Sequence, residues 1–424
     1  MTQNETQFEN AVDRWVSERL SSPMSWNSLV YSLPSVYPED VLNSARRLSL
    51  LDRISFPSSE GFGSFKPSFA LDLWSEKKVF TPHPLDSTWW FGDSALETLL
   101  MRIESSTQPG DTVLLLGVPT LWHYVEERGG DRVFLLLDRE LGKEQVESTS
   151  CLSADLLRKQ PTFGRADLII ADPPWYSQEI RAFLSTAIRN ARPGSKVLLS
   201  VPPVGTRPHI ENEWQQLLIW AGDAGLRLLT YETGMLPYIS PLFEKNALRA
   251  AGVESYPDQW RRGDLATFEW EGGSAQSPPL VPNQAVEEWS EVVFGRVRLR
   301  LRTERRPEPK SPLLVELVRG DILPSVSRRD HRLADVAAWT SGNRVFRCEG
   351  GYVLGMIARA LADGVRPVTA VETNIGLSVD AKQELDIENV AAALAHIVAV
   401  EEMEIADWGD RWNDNVVELP SYSS

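Results

Sequence analysis

Between residues 111 and 201, short unbroken apolar runs alternate with amphipathic stretches. Asp111-Thr112-Val113-Leu114-Leu115-Leu116-Gly117 reads as a buried strand and a glycine turn, followed by the start of a helix at Val118-Pro119-Thr120-Leu121-Trp122. Gly130 to Asp138 reads as the next strand and ends in an acid, and Ser153-Ala154-Asp155-Leu156 reads as a short third one. Ala166-Asp167-Leu168-Ile169-Ile170-Ala171 is a fourth, running into Asp172-Pro173-Pro174-Trp175-Tyr176. A helical stretch from Ser177 to Ala191 and a further strand from Pro193 to Val201 complete the series. Apolar runs of this length, without polar alternation, suit the interior of a parallel sheet. Strands alternating with helices at this spacing predict a doubly wound α/β sheet.

The flanking segments have other rhythms. Asn10 to Val16 starts one helical stretch, Ser25 to Leu33 a second with Ser25 at its cap, and Pro38 to Leu48 a third with Pro38 in the first turn. A Gly/Ser/Phe-rich stretch from Phe56 to Phe69 follows, and the whole resembles a winged helix-turn-helix. That resemblance implies nucleic-acid contact through Arg46 and Arg47 of the third helix. The other reading is a protein-packing module, because the same helix carries Glu39 and Asp40.

Beyond Gly272 to Pro282, which reads as a linker, Arg296 to Arg302 alternates with period two. As a strand it sets Arg296, Arg298, Arg300 and Arg302 on one face and aliphatics on the other. Those arginines either meet carboxylates of the chain or a partner, or form a phosphate or nucleic-acid face with Arg305, Arg306, Arg328, Arg329 and Arg332. Trp339 to Arg344 reads as a tight polar turn or a ligand loop, and Ile387 to Val400 as a core or interface helix. The expected domains are 1–80 (winged helix), 81–240 (the α/β sheet) and 241–424 (a C-terminal α+β domain binding acceptor or partner).

The chemistry concentrates after the fourth strand. Proline stops a ladder, so Asp172 and Trp175 should project from the carboxyl end of the sheet, where open α/β folds hold ligands. A carboxylate and the Pro173 carbonyl accept hydrogen bonds from an amine, and an indole stacks on a flat or cationic group. Asp138, about twenty residues past the glycine turn, is placed to accept from ribose hydroxyls, and Asp155 to face an adenine amino group.

The Asp-Pro-Pro-Trp segment resembles the Asp-Pro-Pro-aromatic motif of amino-directed S-adenosyl-L-methionine (SAM) methyltransferases, and residues 86–205 match the layout of the class I methyltransferase sheet. Gly117 to Leu121 together with Ala171 to Trp175 is similar to the N6-adenine-methyltransferase-like branch, which includes lysine methyltransferases. The resemblance implies SAM binding by Gly117, Pro119, Thr120, Asp138, Asp155 and Asp93, without a metal. It implies methyl transfer to adenine N6 in nucleic acid or to a protein lysine at Asp172, Pro173, Pro174, Trp175 and Tyr176. Trp89 and Trp90 would close over the cofactor or pack between domains, and Asp93 or Ser94 would cap the helix of Ala95 to Ile103. One departure is that Gly117 stands alone where the family turn has several glycines. Branched-chain polyamine synthases also join a winged helix to a sheet ending in Asp-Pro-Pro, and imply aminopropyl transfer from decarboxylated SAM. They carry an acid-rich turn missing here and lack the tryptophan. A third reading is a non-catalytic scaffold binding a partner or nucleic acid, favoured by the sparse glycine turn and opposed by the intact motif.

Composition narrows the partners. The chain has 424 residues, 42% of them apolar, and a formal charge of −16. That is core enough for two or three domains, and an acidity that opposes nonspecific polyanion binding. Cys151 and Cys348 make no disulfide framework and suit a reducing compartment. His123, His209, His331 and His396 lack metal-ligand spacing, no apolar run nears the ~20 residues of a membrane span, and the polar N-terminus is unlike a signal peptide. The expected location is cytoplasmic.

Overall fold

A computed structural model describes residues 3–57, 68–76, 79–141, 148–257, 259–273, 289–302, 312–328, 330–376 and 378–413. Arg305, Arg306, Arg329, most of the stretch expected to form the wing and most of the expected linker from Gly272 lie outside the described residues. The chain divides into two compact units, one of residues 1–79, 89–240 and 253–282, the other of 80–88, 241–252 and 283–424. This division departs from the boundaries expected at 80 and 240, because both units draw on separated pieces of chain. Among the described residues, no helix is long and apolar enough to cross a membrane.

The first unit opens with helices Gln3–Arg19, Trp26–Ser32 and Pro38–Arg47 and a short parallel pair, β1 (Met24–Ser25) and β2 (Ile54–Ser55). Ser25 caps the second helix, its Oγ accepting the Ser28 N–H at 3.1 Å, and Pro38 opens the third. Ser35 ties this part to the sheet: Ser35 Oγ donates to the Arg262 carbonyl at 2.7 Å and accepts the Arg262 N–H at 2.9 Å.

The sheet follows, with β3 (Trp90–Phe91), β4 (Thr112–Leu116), β5 (Val133–Asp138), β6 (Cys151–Ser153), β7 (Ala166–Ala171), β8 (Ala191–Val201), β9 (Leu226–Ile239) and β10 (Arg262–Trp270). Among the described residues it is an eight-stranded sheet in the order β3-β9-β10-β8-β7-β4-β5-β6. Strands β6, β5, β4, β7 and β8 are parallel; β10 runs antiparallel between β8 and β9. This is a Rossmann-like α/β sheet. Residues 253–282 join the first unit because β10 is inserted there.

Alternation explains why apolar runs form these strands. Leu114, Leu116, Ile169, Ala171, Val197 and Leu199 face one core with Ile180, Leu184 and Ile188 of helix Ser177–Asn190. Val113, Leu115, Leu168, Ile170 and Leu198 face the opposite core with Leu96 and Leu99 of helix Asp93–Ser106 and Leu121 of helix Pro119–Arg128. Both faces are covered, so the central positions Val113 to Leu116, Leu168 to Ala171 and Val197 to Leu199 are all apolar, and the period of two is hidden in the sequence.

The second unit has, among the described residues, a five-stranded antiparallel sheet. Its strands are β11 (Trp289–Phe294), β12 (Val297–Arg302), β13 (Leu313–Glu316), β14 (Ala338–Thr340) and β15 (Val345–Glu349), in the order β11-β12-β14-β15-β13. Leu299, Leu301 and Phe346 pack against Leu354 and Ile357 of helix Gly351–Ala362, Val371 of Pro367–Ile375 and Leu394 of Ala381–Asn413. On the other face of β12, Arg298 meets Asp86 at 2.5 Å and Arg300 meets Asp86 at 2.6 Å, and Glu291 takes both arginines. Asp86 and His83, whose Nε2 lies 3.0 Å from the Trp339 carbonyl oxygen, explain why residues 80–88 belong to this unit.

Candidate active site at the carboxyl ends of the strands

The strand order reverses between β4 and β7. From β4 the chain runs outward to β5 and β6, then returns to place β7 on the other side. Open α/β sheets bind ligands in the crevice at such a reversal. Gly117 follows β4 and Asp172 follows β7; Asp172 N–H donates to the Leu116 carbonyl at 3.0 Å, joining β7 to β4, and Gly117 N–H to that of Leu137 at 2.8 Å, joining β4 to β5. Gly117 has φ +70°, and a Cβ there would lie 3.0 Å from the Asp172 carbonyl oxygen and 2.9 Å from the Phe183 ring. One glycine is enough to close this turn, because the next residues, Val118 and Pro119, leave at once into helix Pro119–Arg128.

After Asp172 the prolines end the ladder, and the acid enters a network drawn from three strand ends. Tyr238 Oη donates to Asp172 Oδ1 at 2.7 Å, Ser200 Oγ lies 2.6 Å from Tyr238 Oη, and Trp175 Nε1 donates to Ser200 Oγ at 3.2 Å. Ser200 and Tyr238 are buried, and the Trp175 and Tyr238 rings meet edge to face at 5.5 Å. Close packing requires Gly263 opposite them: a Cβ there would fall 3.0 Å from Ser200 Oγ, 3.1 Å from Trp175 and 3.2 Å from Tyr238. Loss of hydration pushes the Asp172 carboxyl up to about 7; the Tyr238 and Ser200 hydrogen bonds oppose this, and the nearby Asp138 charge adds to it.

Aromatic and cationic groups line the same region. The Arg261 guanidinium sits 4.8 Å from the Trp260 ring centre, 5.1 Å from Trp89 and 5.9 Å from Trp175. Trp90 forms the edge strand β3, paired with Ile239, and Trp89, the other tryptophan expected to close over a cofactor, lies beside Arg261. Tyr176 has Arg207 5.3 Å over its ring, and Arg207 pairs with Glu213 at 2.6 Å, which also accepts from Ser177 Oγ at 3.1 Å.

The residues expected at the cofactor are only partly gathered. Gly117, Pro119, Thr120 and Asp138 stand at the ends of β4 and β5. Asp138 Oδ1 accepts the Glu140 N–H at 2.8 Å, fixing the carboxylate at its strand end. The third strand is Cys151–Ser153 rather than Ser153 to Leu156, so Asp155 lies in the following turn. There it accepts the Leu157 N–H at 3.0 Å and pairs with Arg158 at 3.3 Å. The helix expected from Ala95 begins at Asp93 and is capped by Gly92, not by Asp93 or Ser94. Asp93 accepts instead from the Phe69 N–H at 3.0 Å and Ser68 Oγ at 3.3 Å. Outside the crevice, Arg47 pairs with Asp13 at 2.6 Å and Arg46 donates to Asn43 at 3.1 Å. Arg298 and Arg300 are engaged by Asp86 and Glu291, the intrachain outcome weighed from the sequence.

Sequence reading missed Ser200, Tyr238, Arg261 and Gly263. Only Ser200 carried a signal, a lone hydroxyl inside the apolar run Val197 to Val201; the others lie past residue 205, where the family resemblance ends.

No protein-family model and no curated protein matches the chain. Similar solved structures include a variant of the branched-chain polyamine synthase of Thermus thermophilus, at 14% identity, covering 63% of this chain and 91% of that one with a TM-score of 0.47. The TrmN protein of Thermus thermophilus is similar at 18% identity, covering 41% of this chain and 48% of that one with a TM-score of 0.28. A TehB-like SAM-dependent methyltransferase of Corynebacterium glutamicum is similar at 12% identity, covering 42% and 87% with a TM-score of 0.28.

Proposed function

We propose that this protein transfers a methyl group from SAM to an amino group, on adenine N6 or a lysine side chain, in the crevice between Gly117 and Asp172. The observation that carries the reading is the placement of two carboxylates, Asp138 and Asp172, on strand ends flanking the Gly117 turn, close enough for one charge to raise the other's pKa. Such a pair favours a cation between or beside them. The residues present fit the donor: Gly117 lets the β4 turn close against Asp172 and Phe183, Asp138 suits ribose hydroxyls, and helix Pro119–Arg128 starts directly after that turn. A sulfonium donor supplies a carbon whose C–S bond breaks with its electron pair going to sulfur, while the acceptor nitrogen's lone pair forms the new C–N bond.

The chain's own residues orient that nitrogen. Asp172 and the Pro173 carbonyl accept its N–H hydrogens, and Asp172 takes up the proton shed by the alkylated amine and passes it to water. The edge of Trp175 walls the site and excludes water, so alignment and desolvation supply the rate. A carboxyl titrating near neutrality suits this exchange. Aminopropyl transfer from decarboxylated SAM uses the same C–N bond formation, and the net charge of −16 favours it by drawing a polycationic acceptor. The test is radiolabelled transfer: Asp172→Ala abolishes turnover while leaving SAM affinity within about threefold, since the residue acts on the acceptor side. Full turnover in that variant would contradict the assignment.

A further inference from the structure

We propose that Tyr238 and Ser200 are positioning residues of the acceptor site: the tyrosine hydroxyl holds one oxygen of Asp172 so that the other alone meets the amine, and the serine links the Trp175 indole to that hydroxyl. The inference rests on the amine-transfer reading above and adds two residues to it.

Chemistry fixes the direction of two of these hydrogen bonds. Tyrosine has a single O–H hydrogen, and Tyr238 gives it to Asp172 Oδ1 at 2.7 Å. Ser200 Oγ lies 2.6 Å from Tyr238 Oη and also hydrogen-bonds the Asp172 carboxyl, so the serine sits against both members of the pair. The indole N–H, which can only donate, fills the Ser200 oxygen at 3.2 Å. Trp175, Ser200 and Tyr238 thus form one hydrogen-bonded network that ends on the carboxylate, and such bonds reinforce one another where water is excluded. The tyrosine cannot swing aside. Its ring lies between Phe91, at 5.0 Å, and Trp175, at 5.5 Å, and only 2% of the residue is exposed.

With Oδ1 taken, Asp172 offers one oxygen to the acceptor, so the site selects amines that carry an N–H. It also ties the indole wall to the acid, so that Trp175 and Asp172 keep a fixed separation. The charged and titratable groups acting on this pair come from four elements. Asp138 at the end of β5 raises Asp172, Ser200 in β8 and Tyr238 in β9 lower it, and Arg261 just before β10 opposes the rise in the Tyr238 hydroxyl.

The experiment uses the full-length protein with Tyr238→Phe, which keeps the ring, and Ser200→Ala. Transfer of tritiated methyl from SAM is followed against pH with three probes: an oligonucleotide bearing unpaired adenines, a lysine-containing peptide and spermidine. Where none of them turns over, the Asp172 carboxyl is titrated by carbon-13 NMR and assigned by its loss in Asp172→Asn. In Tyr238→Phe the acid limb of kcat/KM, or the NMR titration, moves up by about one pH unit, with a smaller move in Ser200→Ala and SAM affinity within about twofold of wild type. An unmoved limb or titration in Tyr238→Phe, with SAM bound normally, overturns the positioning role. Full activity in Asp172→Asn, or no SAM binding by the wild type, overturns the underlying reading instead.

Discussion

At the scale of residues, the site is one acid held against its preference. Asp172 titrates near 7 in the fold, well above the 3.8 of a free side chain, chiefly because its carboxyl is desolvated. Between those two values the folded protein binds a proton that the unfolded chain has released, so this residue makes stability fall as pH rises through that window. Above it the ionised acid opposes folding at its full strength. Asn in its place keeps the contact with Tyr238 but never ionises. Asp172→Asn should therefore melt about 2–4 °C higher than wild type at pH 8 and together with it near pH 4, while losing transfer activity. Differential scanning at the two pH values checks this, and equal melting at both would show that burial does not strain the acid.

At the scale of elements, the turn after β4 decides whether a cofactor can be held. Gly117 combines φ +70° with a Cβ position 3.0 Å from the Asp172 carbonyl oxygen. Gly117→Ala should cost about 1–3 kcal/mol of stability and weaken SAM binding about tenfold, because the β4 and β7 ends are pushed apart; unchanged affinity would place the donor elsewhere. Elements of this kind were legible in the sequence. The unbroken runs Val113 to Leu116 and Leu168 to Ala171 gave away buried parallel strands, and the prolines after Asp172 marked where the second one stops. Asp155 was misplaced because its strand is only three residues long, Cys151–Ser153, too short for a hydrophobic period to show. The cap at Gly92 was hidden because Asp93, a good capping residue by type, is drawn off by Ser68 and Phe69. Tyr238 and Gly263 were invisible for a different reason: what joins them to Asp172 is the insertion of β10 beside β8, a tertiary fact with no local signature.

At the scale of the molecule, each unit is assembled from distant pieces of chain. In the second unit Asp86 and Glu291 together pair with Arg298 and Arg300, both on the face of β12 turned from its aliphatic core, and helix Leu242–Ala250 brings the buried Phe243 and Asn246. Asn246 Nδ2 donates to the Gly342 carbonyl at 2.9 Å, in a turn whose Ser341 hydroxyl meets buried Glu401 at 2.7 Å. A fragment of residues 283–424 lacks Asp86 and that helix. Removing one partner of a buried ion pair costs about 3–5 kcal/mol, against a whole-domain stability of about 5–15 kcal/mol. The fragment should show no cooperative thermal transition by circular dichroism, and a sharp one would contradict the contribution given to residues 80–88 and 241–252.

The central claim, a sulfonium donor held between Gly117 and Asp138 with its acceptor at Asp172, is tested most directly by calorimetric titration of the full chain with SAM and, in parallel, with decarboxylated SAM. The account predicts micromolar binding of SAM, preferred over the decarboxylated form, lost in Asp138→Ala and kept in Asp172→Asn. Preference for the decarboxylated donor would move the assignment to aminopropyl transfer. Binding of neither would contradict the account and leave the sheet as a scaffold.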